Sequence, residues 1–443
     1  MRKIISYFSN NYRFISWKIF TNISWLVGEQ FVRMILALFV SVLLARYLGP
    51  KDFGILAYSI SLVTLFGTFT YLGLSGIVVR DLSKKPYIKE EILGSTYVLK
   101  LLGGIIGYTL ILLIILISNP PLIEKTVIII VGFILVFKPI DTIDYWFQSR
   151  TESKYSVIVK SAAFFLCAII KIILVILKAS LLQFSIIVLF EFILAFIFLI
   201  GIYHFKDNWI ISWKPKRRIM KNLLSQSWMI LLSGLLSMIY LKVDQIMLRW
   251  IIGAKEVGIY SIAVTYSEIW YFIPTAIALS FLPSLIKIRN NKREYHERLQ
   301  KIFNLLFLLS ITIAIVITFI GPFFIEFLYG YEYRRSGWIL TIHIWAGTFI
   351  FMRALLSKWI IIENKFKISV ITHGFGAIIN ILLNIILIPP LLGFGAAIAT
   401  LVSYSVASYV MLFFISETRH IAKMMTRSII FPYRIIQYFS KQK

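Results

Sequence analysis

Cysteine is almost absent. Cys167 is the single one in 443 residues, so no intramolecular disulfide can staple the chain. Charge is sparse too: 15% of residues are Asp, Glu, Lys or Arg, against roughly 25% in an ordinary soluble domain. Hydrophobic residues make up 59%, and the mean hydropathy is +0.85. A core of that size would lack the polar surface to cover it, which excludes a soluble enzyme, a secreted disulfide scaffold and a nucleic-acid-binding domain. Acids are the scarcer charge, with 20 Asp and Glu against 46 Lys and Arg for a net +26. Five histidines, no HExxH and no phosphate-cradling loop leave no catalytic constellation to read. The apolar runs are continuous instead of alternating, which excludes a transmembrane β-barrel. The opening MRKIISYFSNNYRFISWKIF is too polar and aromatic for a cleavable signal, so none is expected.

What the sequence has is apolar length. At about 20 residues per crossing, twelve windows qualify: 20–47, 53–79, 93–117, 126–148, 156–177, 182–204, 223–251, 258–286, 302–328, 338–362, 368–388 and 394–416. The expected fold is an all-α polytopic membrane protein of about 12 helices. Of the 46 basic residues, 30 fall at the N-terminus, the C-terminal tail and every second connection, and six at the alternate connections. The positive-inside rule then places both termini in the cytoplasm.

The chain repeats itself. LGPKDFGILAYS at 48–59 lies over IGAKEVGIYSIA at 252–263 without a gap, an offset of 204 residues. Gly49/Gly253, Lys51/Lys255, Gly54/Gly258 and Ile55/Ile259 are identical, and Asp52/Glu256 is conservative. Both copies follow an odd-numbered span, so the halves have parallel topology. The expected organisation is an N-terminal lobe over 1–204, a cytoplasmic linker over 205–222, a C-terminal lobe over 223–416 and a basic cytoplasmic tail over 417–443. Two equivalent lobes about an axis along the membrane normal suit alternating access around a central cavity.

From residue 37 onward the pattern is specific. ARYLGPKDFG, the Gly-Leu before IVVRDL, WFQSRTESKY at 146–155 and NIILIPPLLGFGAAIATLVSY at 384–404 resemble a Wzx-type O-antigen flippase. Such proteins form part of the polysaccharide transporter family of the multidrug/oligosaccharidyl-lipid/polysaccharide superfamily. The last block is shared with multidrug exporters. The resemblance implies a non-enzymatic transporter in the bacterial inner membrane. Its substrate would be an undecaprenyl-diphosphate-linked oligosaccharide, moved from the cytoplasmic to the periplasmic leaflet. It implies no cofactor, with H+, Na+ or the membrane potential as the source of drive. The implied partners are the lipid-linked substrate, the phospholipid bilayer, an O-antigen polymerase and a chain-length regulator, and no nucleic acid. Two other readings stay open: a cation-coupled multidrug exporter, and a membrane glycosyltransferase or polymerase. The second lacks the sizeable outer loop such enzymes use.

Charges inside spans are costly and should face a cavity or a partner. Arg33, Lys138 and Arg353 lie near mid-span, where snorkelling reaches poorly, and Lys100, Lys171 and Lys242 are intermediate. Together with the resemblance, these six make a candidate cationic lumen for the diphosphate head. Arg46, Lys160, Arg249 and Lys358 sit near span ends and are expected to snorkel. Glu29, Asp244 and Glu268 are candidate ion-coupling residues. Glu29 stands four before Arg33, the spacing of a helical ion pair. Asp141 and Asp144 flank a kink at Pro139, with Lys138 or Arg150 as expected partners. Gly103 and Gly107 have the small-xxx-small spacing of a close helix contact. No metal ligand set and no catalytic residue is expected.

Overall fold

The structure is a computed structural model that describes residues 17–440, with side chains described over 31–431. Among those residues every regular element is helical, and eleven stretches are long and apolar enough to cross a membrane. The first, Phe31–Lys84, runs 54 residues, roughly 80 Å of helix against a bilayer core of about 30 Å. It breaks at Gly49, where φ is 72° and ψ is 171°, and so holds the first two of the twelve expected spans.

The others follow in order as the third, Pro86–Ser118, fourth, Leu122–Ser149, fifth, Lys154–Ile176, and sixth, Leu181–Phe205. The second half continues with the seventh, Arg217–Ile251, eighth, Ala254–Ile288, ninth, Lys292–Tyr329, and tenth, Tyr331–Ile362. The eleventh is Phe366–Leu391 and the twelfth Gly393–Phe414. The tail is also helical over Arg419–Ser440, and Ile421, Ala422 and Met425 are buried against the start of the ninth span.

Local chemistry sets the ends and the breaks. The sixth span begins on a capping box, in which the Ser180 backbone N–H donates to Gln183 Oε1 at 2.7 Å. A 3-10 turn over Lys138–Asp141 interrupts the fourth span at Pro139, whose missing N–H cannot continue the ladder. Pro389 and Pro390 stay within the last turn of the eleventh span, and the chain reverses at Leu392, where φ is 56°. Gly103 fulfils its spacing: a Cβ there would stand 1.9 Å from the Phe69 carbonyl oxygen.

The spans form two lobes. One apolar cluster, including Leu93, Phe147 and Tyr203, fills the first lobe, and another, around Phe303, Leu355 and Met425, fills the second. The largest crosses the seam, joining Leu62 and Leu135 to Val257 and Tyr260. Connections alternate between a basic end and a charge-poor end. At the charge-poor end the lobes meet backbone to backbone. A Cβ on Gly54 would lie 1.8 Å from the Ala254 carbonyl oxygen, and one on Gly258 would lie 2.0 Å from that of Pro50. Ala254 and Gly258 are the repeat equivalents of Pro50 and Gly54, so the contact is reciprocal, as a two-fold axis requires.

Side chains bolt this crossing. Trp250 Nε1–H donates to the Tyr58 hydroxyl at 3.0 Å, Tyr333 to the Ala45 carbonyl at 2.9 Å, and Arg46 to the Phe327 carbonyl at 2.7 Å. At the basic end Arg80 reaches Gln226 at 2.7 Å. There the second half of the eighth span packs on the ninth and tenth, leaving Leu279 and Ile286 exposed.

Gly54→Val and Gly258→Val should therefore push the lobes apart. Thermal unfolding of the purified protein should show both variants melting several degrees lower, as overpacking of a close contact does at about 1–3 kcal/mol. Gly201→Ala is the control, since a Cβ there meets nothing within 4 Å. Equal melting of all three would show that the crossing has room to spare.

Candidate functional site

The first lobe gathers charge around the break in the fourth span. Lys160, from the fifth span, donates to Asp141 Oδ1 at 2.6 Å and to Asp144 Oδ2. This corrects the expected pairing: the fifth span, not Lys138 or Arg150, supplies the partner, because the 3-10 turn swings both aspartates toward it. Lys160 consequently serves inside the lobe instead of snorkelling. Lys100 is fully buried beside this group, with its Nζ 4.7 Å from the Tyr145 ring centroid and no hydrogen-bond partner among the described residues. Lys138 is half-buried, its Nζ 4.6 Å from the Tyr71 ring centroid. Three amines thus share two carboxylates, leaving an excess positive charge in a site of low dielectric.

Arg33 lies elsewhere on the lobe, its guanidinium 5.2 Å from the Phe164 ring centroid. Its side chain is half-buried. The side chain of Glu29 lies outside the described residues. Lys171 and Glu191 form an ion pair of 2.7 Å between the fifth and sixth spans.

In the second lobe Lys242 donates to both oxygens of Glu268, at 2.8 and 2.9 Å. Asp244 is buried without an ion-pair partner among the described residues. Its Oδ2 accepts from the Tyr260 hydroxyl and from Thr400 Oγ1 at 3.1 Å, and its Oδ1 accepts the Gln245 backbone N–H at 2.8 Å. The same eleventh and twelfth spans carry a buried polar chain in which Asn384 donates to Asn380 at 3.0 Å and Asn380 to Ser403 at 3.1 Å. Asn384 Oδ1 has no partner among the described residues.

Arg353 is 4% exposed and enclosed by the tenth, eleventh and twelfth spans. Its NH1 donates to Thr372 at 2.9 Å and to the Ala407 carbonyl at 3.1 Å, and its NH2 to Ser369 at 3.0 Å and His373 Nε2 at 2.7 Å. All four acceptors are neutral. Ala407 lies in a π-helical turn, Val406–Val410, a loosened stretch in which a carbonyl can turn to an outside donor.

Lys100 and Lys138 are therefore brought together, while Lys171 and Lys242 are each taken up by a carboxylate. No hydrogen bond or ion pair joins Arg33, Lys138 and Arg353 to one another among the described residues. Sequence reasoning passed over two bridges at the charge-poor end. Arg249 forks onto Glu124 across the lobes. Arg335 forks onto Glu256 at 3.1 Å, and Glu256 also accepts the Gly393 backbone N–H at 2.9 Å. The one available signal was that each member sits at a span end on the same side.

Arg353→Lys and Arg353→Ala should lower the melting temperature and the amount of folded protein in the membrane. Removing one member of a buried charged network costs roughly 3–5 kcal/mol. Lys138→Ala, at a half-buried site, should leave folding intact. A stable, fully expressed Arg353→Ala would show that its four bonds do not hold the lobe.

The sequence matches the family described as polysaccharide biosynthesis protein over residues 19–288, and the family described as MatE over residues 230–386. No curated protein matches the sequence closely enough to count as a relative. Among solved structures, the lipid II flippase MurJ in an inward closed conformation is 19% identical with a TM-score of 0.70, covering 93% of this chain and 92% of its own. An inward-facing multidrug resistance MATE family transporter of the MOP superfamily is 13% identical at 0.66, covering 88% and 95%. An outward-facing one is 13% identical at 0.58, covering 89% and 93%. Likeness at this identity shows a shared fold, with the higher score going to the inward-facing form.

Proposed function

This chain belongs to the polysaccharide biosynthesis protein family, and on that footing we propose that it is a flippase for an undecaprenyl-diphosphate-linked oligosaccharide. In this reading the O-antigen repeat unit or a similar one moves from the cytoplasmic to the periplasmic leaflet of a bacterial inner membrane by alternating access. The basic end faces the cytoplasm, and a polymerase and chain-length regulator receive the product.

The observation that carries the reading is the unbalanced positive charge within the spans. Lys100, Lys138 and Arg353 make no ion pair among the described residues. A diphosphate leaving water loses its hydration and needs donors; each charge-assisted hydrogen bond returns about 1.5–3 kcal/mol. Lys138 is the half-exposed cation that meets the head, Lys100 supplies field from behind, and Arg33 is a second half-exposed cation elsewhere on the lobe. Arg353 positions the tenth to twelfth spans. A pocket for cationic drugs would show the opposite sign, which disfavours the multidrug exporter. The structures with this fold are those of transporters, which disfavours the membrane glycosyltransferase.

Asp244 is the residue for cation coupling: a buried carboxylate held by two hydroxyls and one backbone N–H, with no ion-pair partner among the described residues, can take a proton or a sodium ion. Glu268 is held by Lys242 and responds only when that pair opens. An inside-negative potential also drives two departing negative charges outward, at about 2.3 kcal/mol per charge per 100 mV.

Expression in a strain lacking its own flippase tests the function. The chain should restore surface polysaccharide, Lys138→Glu should abolish it, and Lys138→Arg should retain part of it. Failure of the unaltered chain to rescue while present in the membrane would overturn the assignment. For coupling, Asp244→Asn should remove the dependence of translocation on a pH or sodium gradient in vesicles while undecaprenyl diphosphate still binds. A gradient response equal to the unaltered protein would exclude Asp244.

A further inference from the structure

We propose that Arg249 forms an exit-side subsite for the diphosphate head, and that Glu124 occupies it as a placeholder whose displacement unlatches the lobes. The inference rests on the flippase reading and concerns a pair outside the candidate lumen. Arg249 ends the seventh span and Glu124 stands in the first turn of the fourth, so the two belong to different lobes. Arg249 Nε donates to Glu124 Oε1 and its NH2 to Oε2, one nitrogen to each oxygen. It is the only ion pair that ties the fourth span to the seventh, or any span of one lobe to a span of the other, among the described residues.

The surroundings suit a lipid diphosphate. A cavity of about 300 Å³ opens at the pair, lined by Tyr58, Ser118, Ile128 and Trp250. Beside it Ile117 is 85% exposed and Trp250 57%, an apolar and aromatic margin of the kind that faces the lipid interface. A head could thus sit on the guanidinium while its prenyl tail stays in the bilayer. Tyr58 also lines the cavity, and its hydroxyl accepts from Trp250 and donates to no acceptor among the described residues, which leaves a second donor at the site.

The exchange has a direction. Arg binds phosphate oxygens with the same bidentate fork that it offers a carboxylate, and a diphosphate carries more charge. Once the head takes the fork, Glu124 is left 3% exposed as an unpaired carboxylate beside a second anion. Burying such a charge is strongly unfavourable, and like charges at short range repel. An attraction across the seam becomes a repulsion, which opens the charge-poor end and hydrates Glu124. The outer seam therefore opens for an anionic head and stays shut for an empty site.

The test measures binding of undecaprenyl diphosphate to the full chain in nanodiscs. Glu124→Gln removes the competitor and should tighten binding by about tenfold, while Arg249→Gln removes the ligand and should weaken it about as much. Arg249→Lys, a point charge without the fork, should fall between. In a Cys167→Ser background, spin labels at Lys51 and Lys255 should move apart when undecaprenyl diphosphate is added, and should fail to do so in Arg249→Gln. A purely structural latch predicts that both neutral variants change binding in the same direction or not at all, and either result would overturn the subsite. If the unaltered chain does not bind undecaprenyl diphosphate, the flippase reading itself falls.

Discussion

The contact of Gly54 with Ala254, and of Gly258 with Pro50, is the constraint from which the rest of the arrangement follows. Two backbones can approach this closely only where glycine leaves out the Cβ that would stand between them. The reciprocal use of repeat-equivalent residues places a pseudo-two-fold axis through the point of contact. Tyr58, Trp250, Ala45 and Tyr333 bond around it, and the largest apolar cluster spreads from it into both lobes. The charge-poor end is thereby where the two lobes are shut against each other in this structure.

Charge within the bundle divides by partner. Lys171 with Glu191 and Lys242 with Glu268 are neutral pairs, in which each charge offsets the desolvation of the other. Lys100, Lys138 and Arg353 lack a carboxylate of their own, and each is stabilised differently: by an aromatic face, by an aromatic face at a half-open site, and by four neutral acceptors. Asp244 is the reverse case, an acid held by hydroxyls and an amide N–H. Spare positive charge thus sits in both lobes, at Lys100 and Lys138 in the first and at Arg353 in the second, and the second also holds the lone acid.

The fold is largely legible in the order of residues. Apolar windows and the alternation of basic connections need only local chemistry, because a bilayer demands a fixed length of apolar helix whatever packs beside it. The repeat is legible too, since Gly49/Gly253 and Gly54/Gly258 hold φ values and clearances that other residues cannot. Even the break at Pro139 can be read, proline having no N–H to give. The helical tail cannot: Arg419–Ser440 reads as a basic run until its Ile421, Ala422 and Met425 face finds the ninth span.

The site is legible as a set of charges and not as an arrangement. Arg33, Lys138 and Arg353 stand out as costly in lipid, with Lys100, Lys171 and Lys242 intermediate, because that cost depends on depth along a span. Whether a charge is spent on a partner depends on which span lies opposite. Lys160 meets Asp141 and Asp144 from a neighbouring helix, Arg353 turns inward to Ser369 and His373, and Arg249 finds Glu124 in the other lobe. Residue order alone therefore sets the crossings, their two-lobed repeat and the excess of positive charge. Which of those charges are neutralised is a property of the packed bundle, because ion pairing falls off within a few ångströms and helices far apart in the chain supply the partners.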